Sequence, residues 1–343
     1  MAYTTINKSS LNMNTKLYTG NSGTNAQTGV GFQPDWTWIK GRSTAYSSNI
    51  YDAVRGVTKI IKSNSSGVED TQSTSLTAFG TDGFTLGSYD ESNYNNATYA
   101  SWNWKGGGTA SANTDGSLSS SVSANQTNGF SIVTYNGRDA TDTIGHGLGA
   151  EPSVILFKCR SNAGSDWYSY WKPLGNNSTI RVNNTGASSS PTGLWNTTNP
   201  TSSVFTVISS DVVNRVGRTF VAYCFAEKQG YSNFGSYVGN GNADGPMIYT
   251  GFKPAWIMIK RAIGGTDNWV MFDNKRSPFN EVNENLAANS SGATNTGIKI
   301  DMLSNGFKCR VTEGNTNVAG NTYIYMAFGQ TLVGTNNIPN NAR

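Results

Sequence analysis

Charge is scarce in this sequence. Only 13% of its 343 residues are Asp, Glu, Lys or Arg, and 25 basic against 21 acidic side chains leave a net charge of +4. A nucleic-acid protein gathers many phosphate-neutralising cations on one face, so no nucleic acid is expected as a partner. Histidine is scarcer still. The single one, His146 in TIGHGLGAEP, has no companions for a Ser-His-Asp or Cys-His nucleophile or for a histidine-based metal centre, and it reads as a loop residue. Cys159, Cys224 and Cys309 are odd in number, far apart and set in apolar runs, which makes them small buried hydrophobes rather than a disulfide framework. No apolar run is long enough to span a bilayer, and MAYTTINKSS has neither the basic nor the apolar region of a secretory signal. The expectation is a chain folded in a reducing cytoplasm without membrane insertion. GHGLG precedes a strand-like run rather than a helix, so it fails the context test for a phosphate-cradling loop. No cofactor and no metal is expected.

What fills the sequence instead is Ser, Thr, Asn and 39 Gly, with 9 Trp, 16 Tyr and 14 Phe. Such an aromatic content does not belong to a disordered chain, and no segment shows a capped amphipathic helix. The reading is all-β. Self-similarity organises it. GFQPDWTWIKGR (31 to 42), GAEPSVILFKCR (149 to 160) and GFKPAWIMIKRA (251 to 262) share a Gly, a Pro three residues on, an apolar run and a Lys six residues after the Pro. Tyr18, Tyr135 and Tyr237 lie 16 or 17 residues upstream of Pro34, Pro152 and Pro254, and TYASWNWK, TFVAYCFAE and TYIYMAFGQ close each unit 70 to 74 residues downstream. Runs such as WTWIK suggest central strands covered on both faces, YASWNWK alternates like a strand with one exposed face, and Gly-Asn, Asp-Gly and Asn-Gly pairs signal tight turns. Three tandem β-sandwich repeats of jelly-roll-like type follow. They cover residues 1–105, 131–230 and 231–332, with a Gly/Ser/Thr-rich linker at 106–130 and a polar tail at 333–343.

Candidate chemistry is thin. Asp52 in YDAVRG and Asp273 in FDNKRS are each followed three residues later by Arg55 or Arg276, and the second repeat has YWKPLG there instead. Paired carboxylates serve glycoside hydrolysis, but recurrence in two repeats points to an Asp-Arg pair that fixes a turn. Lys40, Lys158 and Lys260 read as strand-end cations whose heads reach solvent. Trp36 with Trp256, and Trp104 with Phe225 and Phe328, hold repeat positions and read as core. Aromatics outside the repeat register are the candidate surface-binding residues: Tyr46, Tyr89, Tyr94, Trp167, Tyr168, Trp195 and Trp269 lie in or beside Ser/Asn/Gly-rich loops, where a ring beside amides and hydroxyls suits a neutral glycan or a protein interface.

With GFQPDWTWIKGR, YDAVRG, FGTDGFTLGS and TYASWNWK in one copy, and FGSYVGNGNADG, YTGFKPAWIMIKR, IDMLSNGFKCR and TYIYMAFGQ further on, the chain resembles a family of virion structural proteins of marine tailed phages, tail-fibre-like with concanavalin A-like sandwiches. The resemblance implies a β-sandwich in a phage particle and brings no catalytic residues. The expected function is that of a non-enzymatic virion protein, an adhesin-type tail or fibre component that contacts a host-surface glycan. The alternatives are a capsid-surface or tail-wall subunit and, third, a polysaccharide-degrading enzyme. Other virion proteins and further copies of the chain, as in a trimer, are the expected partners.

Overall fold

The computed structural model describes residues 4–6, 8–190 and 192–331. Strands dominate it. A first set comprises β1 (Met13–Thr19), β2 (Asn25–Thr28), β3 (Trp36–Gly41), β4 (Asn49–Asp52), β5 (Lys59–Lys62), β6 (Asp70–Thr71), β7 (Leu76–Gly80), β8 (Gly83–Leu86) and β9 (Thr98–Trp104). A second comprises β10 (Ser111–Asn113), β11 (Ser120–Asn125), β12 (Phe130–Asn136), β13 (Asp142–Gly145), β14 (Val154–Cys159), β15 (Tyr168–Trp171), β16 (Ile180–Arg181), β17 (Val204–Val207) and β18 (Thr219–Phe225). The third comprises β19 (Ser232–Val238), β20 (Met247–Tyr249), β21 (Phe252–Ile263), β22 (Val270–Asp273), β23 (Leu286–Ala287), β24 (Ile300–Leu303), β25 (Gly306–Cys309) and β26 (Thr322–Thr331).

Each set makes a large and a small antiparallel sheet. The large sheets run β1-β9-β3-β4-β5-β6, β10-β11-β12-β18-β14-β15-β16 and β19-β26-β21-β22-β23, and the small ones β2-β8-β7, β13-β17 and β20-β25-β24. Five strands of each large sheet follow one order. Within a set the first of these strands pairs with the last, and the next with the one before it, the nested pairing of a jelly roll; the third then continues as a simple meander. Register agrees as well. Trp104 lies between Met13 and Trp36, Phe225 between Phe130 and Val154, and Phe328 between Ser232 and Trp256. Pro34, Pro152 and Pro254 therefore each stand two residues before an equivalent strand position.

The two faces of a large sheet have different neighbours. In the first sandwich Ile39, Tyr51, Ile60 and Tyr99 meet Leu76, Phe84 and Leu86 of its small sheet, and the second and third sandwiches have cores of the same kind. The opposite faces of all three large sheets pack on one another in a shared core, in which Trp36, Trp102 and Trp104 join Phe130, Tyr223 and Phe225 and also Trp256, Met326 and Phe328. Ring centroids there lie 4.6 Å apart for Trp36 and Trp104, 4.9 Å for Trp36 and Tyr223 and 5.6 Å for Trp104 and Phe328. Double-sided burial explains the unbroken apolar runs. It also corrects the reading of YASWNWK: the alternation in β9 separates two buried faces, Trp102 and Trp104 toward the shared core and Tyr99 toward its own sandwich, with no face exposed.

The expected linker at 106–130 is a second correction. It contains β10 and β11, which pair with each other and extend the second large sheet beyond β12. A strand covered on one face needs apolar groups on that face only, and Val122 and Ala124 of β11 supply them against the second core. The tail at 333–343 lies outside the described residues.

Candidate functional site

The cation at the end of each Pro strand does not reach solvent. Lys40, Lys158 and Lys260 are fully buried. Each ammonium donates to a carbonyl in its own following loop, Tyr46 O at 2.9 Å, Ser165 O at 2.7 Å and Asp267 O at 2.5 Å. Each also donates to a carbonyl of a different sandwich: Lys40 to Ser290 O at 2.8 Å, Lys158 to Ser66 O at 3.4 Å and Lys260 to Thr185 O at 2.7 Å. The direction is cyclic. The third sandwich clasps the first, the first the second and the second the third, so the three close into a ring. A matching set of backbone bonds runs alongside, from Thr294 N–H to Arg42 O, Glu69 N–H to Arg160 O and Ser188 N–H to Ala262 O, at 2.8 to 2.9 Å. Desolvation pushes each lysine down to about 8 from its ordinary 10.5, so all three remain cationic at neutral pH and need the carbonyls they hold.

The Asp-Arg pairs occupy the same junctions. Asp52 and Asp273 each fix a turn by accepting from the backbone N–H of Arg55 and Arg276, and neither pair has exposed side-chain surface. Tyr223 of the second sandwich donates its hydroxyl to Asp52 Oδ2 at 2.6 Å, and Trp102 of the first donates its indole N–H to Asp273 Oδ2 at 3.0 Å. Arg55 also meets Glu69, which pairs in turn with Arg160 across the junction at 2.8 Å. Burial alone would raise the Glu69 carboxyl, but bonds from Arg160 and Arg55 bring it below its ordinary value. At the junction of the second and third sandwiches the equivalent positions are Trp171 and Met326, both in the shared core. An apolar pair thus replaces an ion pair with its hydrogen-bonding partner, an exchange that buried ion pairs tolerate well. Both carboxylates are engaged on every side by these contacts, and neither faces an open cleft as an acid or nucleophile would.

His146 follows β13 in a buried loop. Its Nδ1 accepts from Leu148 N–H at 3.2 Å, so the ring proton sits on Nε2 and is donated to Thr201 O at 3.1 Å. Burial lowers its pKa. Among the described residues no group of three or more His, Cys, Asp or Glu is arranged to hold a metal ion.

The candidate surface aromatics divide. Trp167, Trp195 and Trp269 are buried, contrary to expectation. Trp167 donates to Lys62 O of the first sandwich and Trp269 to Arg181 O of the second, both at 2.9 Å, so these two are junction residues. Trp195 stacks on Phe157 within the second core. Tyr89 packs partly against the first core, and Tyr168 lies under the Arg181 guanidinium at 5.5 Å. Only Tyr46 and Tyr94 come together, edge to face at 6.1 Å, with Tyr94 45% exposed. They form a small aromatic patch where the loop that Lys40 anchors at Tyr46 meets the segment leading into β9.

One recurring brace escaped the repeat reading. Asn93, Asn214 and Asn317 are buried, stand five residues before β9, β18 and β26, and accept from the backbone N–H of Asn21, Arg138 and Asn240. Beside them Tyr18, Tyr135 and Tyr237 donate to Ser92 O, Val213 O and Thr316 O at 2.6 to 2.8 Å. The five-residue spacing was the available signal, hidden by the abundance of Asn. No curated protein and no solved structure matches this chain. A family model matches residues 8–331, nearly the whole length, and the chain belongs to that family, described as Domain of unknown function (DUF7483).

Proposed function

We propose that this protein is a non-enzymatic structural component of a phage particle, an adhesin-type tail or fibre part that contacts the host surface. The observation that carries this reading is where the charge goes. The three strand-end lysines and both Asp-Arg pairs are engaged in holding three sandwiches in a ring, and the outer loops are rich in Ser, Asn and Gly, with the Tyr46–Tyr94 patch among them. A rigid body with polar, aromatic-bearing loops suits repeated weak contacts, and many copies facing one surface multiply their strength. The sequence resemblance to virion proteins supports the same placement.

A second reading, a capsid-surface or tail-wall subunit, is favoured by exposed apolar residues of the third sandwich: Phe279 is 76% exposed and Tyr249 60%. Purified protein incubated with host envelope polysaccharide, and separately with virions lacking the protein, tests both. Binding to polysaccharide without release of reducing sugar is expected. Rebinding to virions alone would favour the subunit, and sugar release that disappears in an Asp or Glu variant would overturn both.

A further inference from the structure

β1, β12 and β19 hold equivalent places in the three large sheets, and only β12 is covered on its outer side. There β11 lies along it, with Ser123 opposite Ile132 and Ser121 opposite Thr134. Ser236 of β19 stands where Thr134 stands in β12, each the fifth residue of its strand. The ladder fixes which groups of β19 point away from β26. Gly239 N–H donates to Asn321 O at 2.9 Å, which makes Val238 and Thr322 a non-hydrogen-bonded pair and turns the N–H and C=O of Val238 outward. By the same alternation Ser232, Phe234 and Ser236 turn theirs outward. Lys228 O takes the N–H of Ser232 at 2.9 Å, and the Glu227 carboxylate takes that of Phe234 at 3.2 Å. The outward backbone groups of Ser236 and Val238 have no partner among the described residues, and both residues are exposed.

This open edge lacks the devices that keep an edge from pairing. β19 reads SNFGSYV, with no charge and no proline. Val238, Thr322 and Ile263 form a row across β19, β26 and β21, with Val238 58% and Ile263 54% exposed, so the open end is apolar as well. The equivalent edge of the first sandwich is shielded, because Thr15 of β1 is buried and Leu17 packs partly against the shared core. The outer strands β6, β10, β16 and β23 run only two or three residues.

We infer that β19 pairs antiparallel with β19 of a second copy of this chain, joining two third-sandwich sheets across a two-fold axis at Tyr237. Ser236 of each copy then faces Val238 of the other, and the outward backbone groups exchange hydrogen bonds as β11 and β12 do within the chain. A strand edge set against itself is self-complementary, and an uncharged one does not repel its copy. The inference stands apart from the attachment reading: polysaccharide binding by a protein that stays monomeric would overturn the pairing and spare attachment.

Light scattering and sedimentation of the full chain from about 1 μM to about 1 mM, a range that covers weak and moderate affinities, test it. A dimer whose population rises with concentration is expected, with slowed amide exchange at Ser236 and Val238. Ser236→Pro removes an N–H that the monomer leaves to water, and Val238→Lys sets two like charges beside the axis. Each should weaken the dimer by about tenfold or more, with unchanged melting at the lowest concentration. Should Ser236→Pro melt early, Val238→Lys decides alone, since it alters only an exposed side chain. A parent that is monomeric throughout, a parent that forms a closed trimer instead, or a dimer that Val238→Lys leaves intact overturns the pairing.

Discussion

Removing one half of a buried ion pair is the sharpest test of the junctions. Arg276→Leu places at that position the residue that the second sandwich already carries there, Leu174. Asp273 would then keep three N–H donors, from Lys275, Arg276 and Trp102 at 2.9 to 3.0 Å, and lose its only counterion. Breaking a buried pair costs about 3 to 5 kcal/mol, and the surviving donors put this case near about 3. At roughly 2 °C per kcal/mol for a chain of this size the melting temperature falls by about 6 °C, read by calorimetry at pH 7. The pH dependence carries the sign. In the parent, burial alone would raise the Asp273 carboxyl, but Arg276 and the N–H donors hold it below its ordinary value. That contribution is present above the unfolded pKa of about 3.9 and is lost as pH falls through the folded one. Without Arg276, burial dominates and the folded pKa rises above the unfolded one, so the carboxyl favours folding at low pH. The deficit of the variant should therefore be widest at pH 7 and narrow toward pH 4.5, and the added change Asp273→Asn should recover at least half of it. A variant that melts like the parent, or a deficit that grows on acidification, refutes the assignment of this pair as a desolvated junction.

Trp104→Ala empties a ring from the shared core and should destabilise by about 3 to 5 kcal/mol in a urea titration; a loss under about 1 kcal/mol would remove Trp104 from the core's centre. Lys158→Met should change the alkaline stability profile. Burial lowers the folded pKa of Lys158 from 10.5 to about 8, so the parent becomes relatively more stable as pH rises from about 8 to 10.5, by at most roughly 3 kcal/mol for this lysine, and the variant should lack that part of the rise. His146→Gln should flatten the acid side: burial lowers the folded pKa of His146, so its contribution is complete above the unfolded value of about 6.5 and declines below it. Equal urea midpoints for the parent at pH 7.5 and 5.5, with His146 in place, would contradict that sign.

Much of the fold could be read in the sequence because its signals are local. The pairing of Trp36, Val154 and Trp256 with Trp104, Phe225 and Phe328 follows from landmarks spaced 70 to 74 residues apart, and such spacing survives divergence of loops. Which face each side chain meets could not be read the same way. A strand alternating Trp with Ser, Ala and Asn looks the same whether its second face meets water or a small sheet, and Ser101 and Asn103 are buried because neighbouring groups satisfy them. Loop position misled for Trp167 and Trp269 on similar grounds. They stand outside the repeat landmarks, but each hydrogen-bonds a carbonyl of a preceding sandwich, a relation between units that no single unit's sequence contains. Lys40, Lys158 and Lys260 were visible as a column, and only the closed ring supplies the carbonyls that make burying them tolerable.

Closure changes what the three units can do separately. In an open array the terminal units need polar caps, whereas here the third sandwich returns to the first through Lys40 with Ser290, Arg42 with Thr294 and Trp102 with Asp273, so every large sheet is covered by a neighbour. A homotrimer could reach the same geometry, but its junctions would be identical by symmetry. A single chain is free of that constraint. It keeps the lysine clasp at all three junctions, keeps the ion pair at two and substitutes Trp171 with Met326 at the third. By the same freedom the position three residues on is Arg55 in the first sandwich, Leu174 in the second and Arg276 in the third, and Leu174 packs against the shared core where the two arginines hold carboxylates. Stability requires only that most of the shared core be filled, so the junctions can differ in polarity while all three hold the ring.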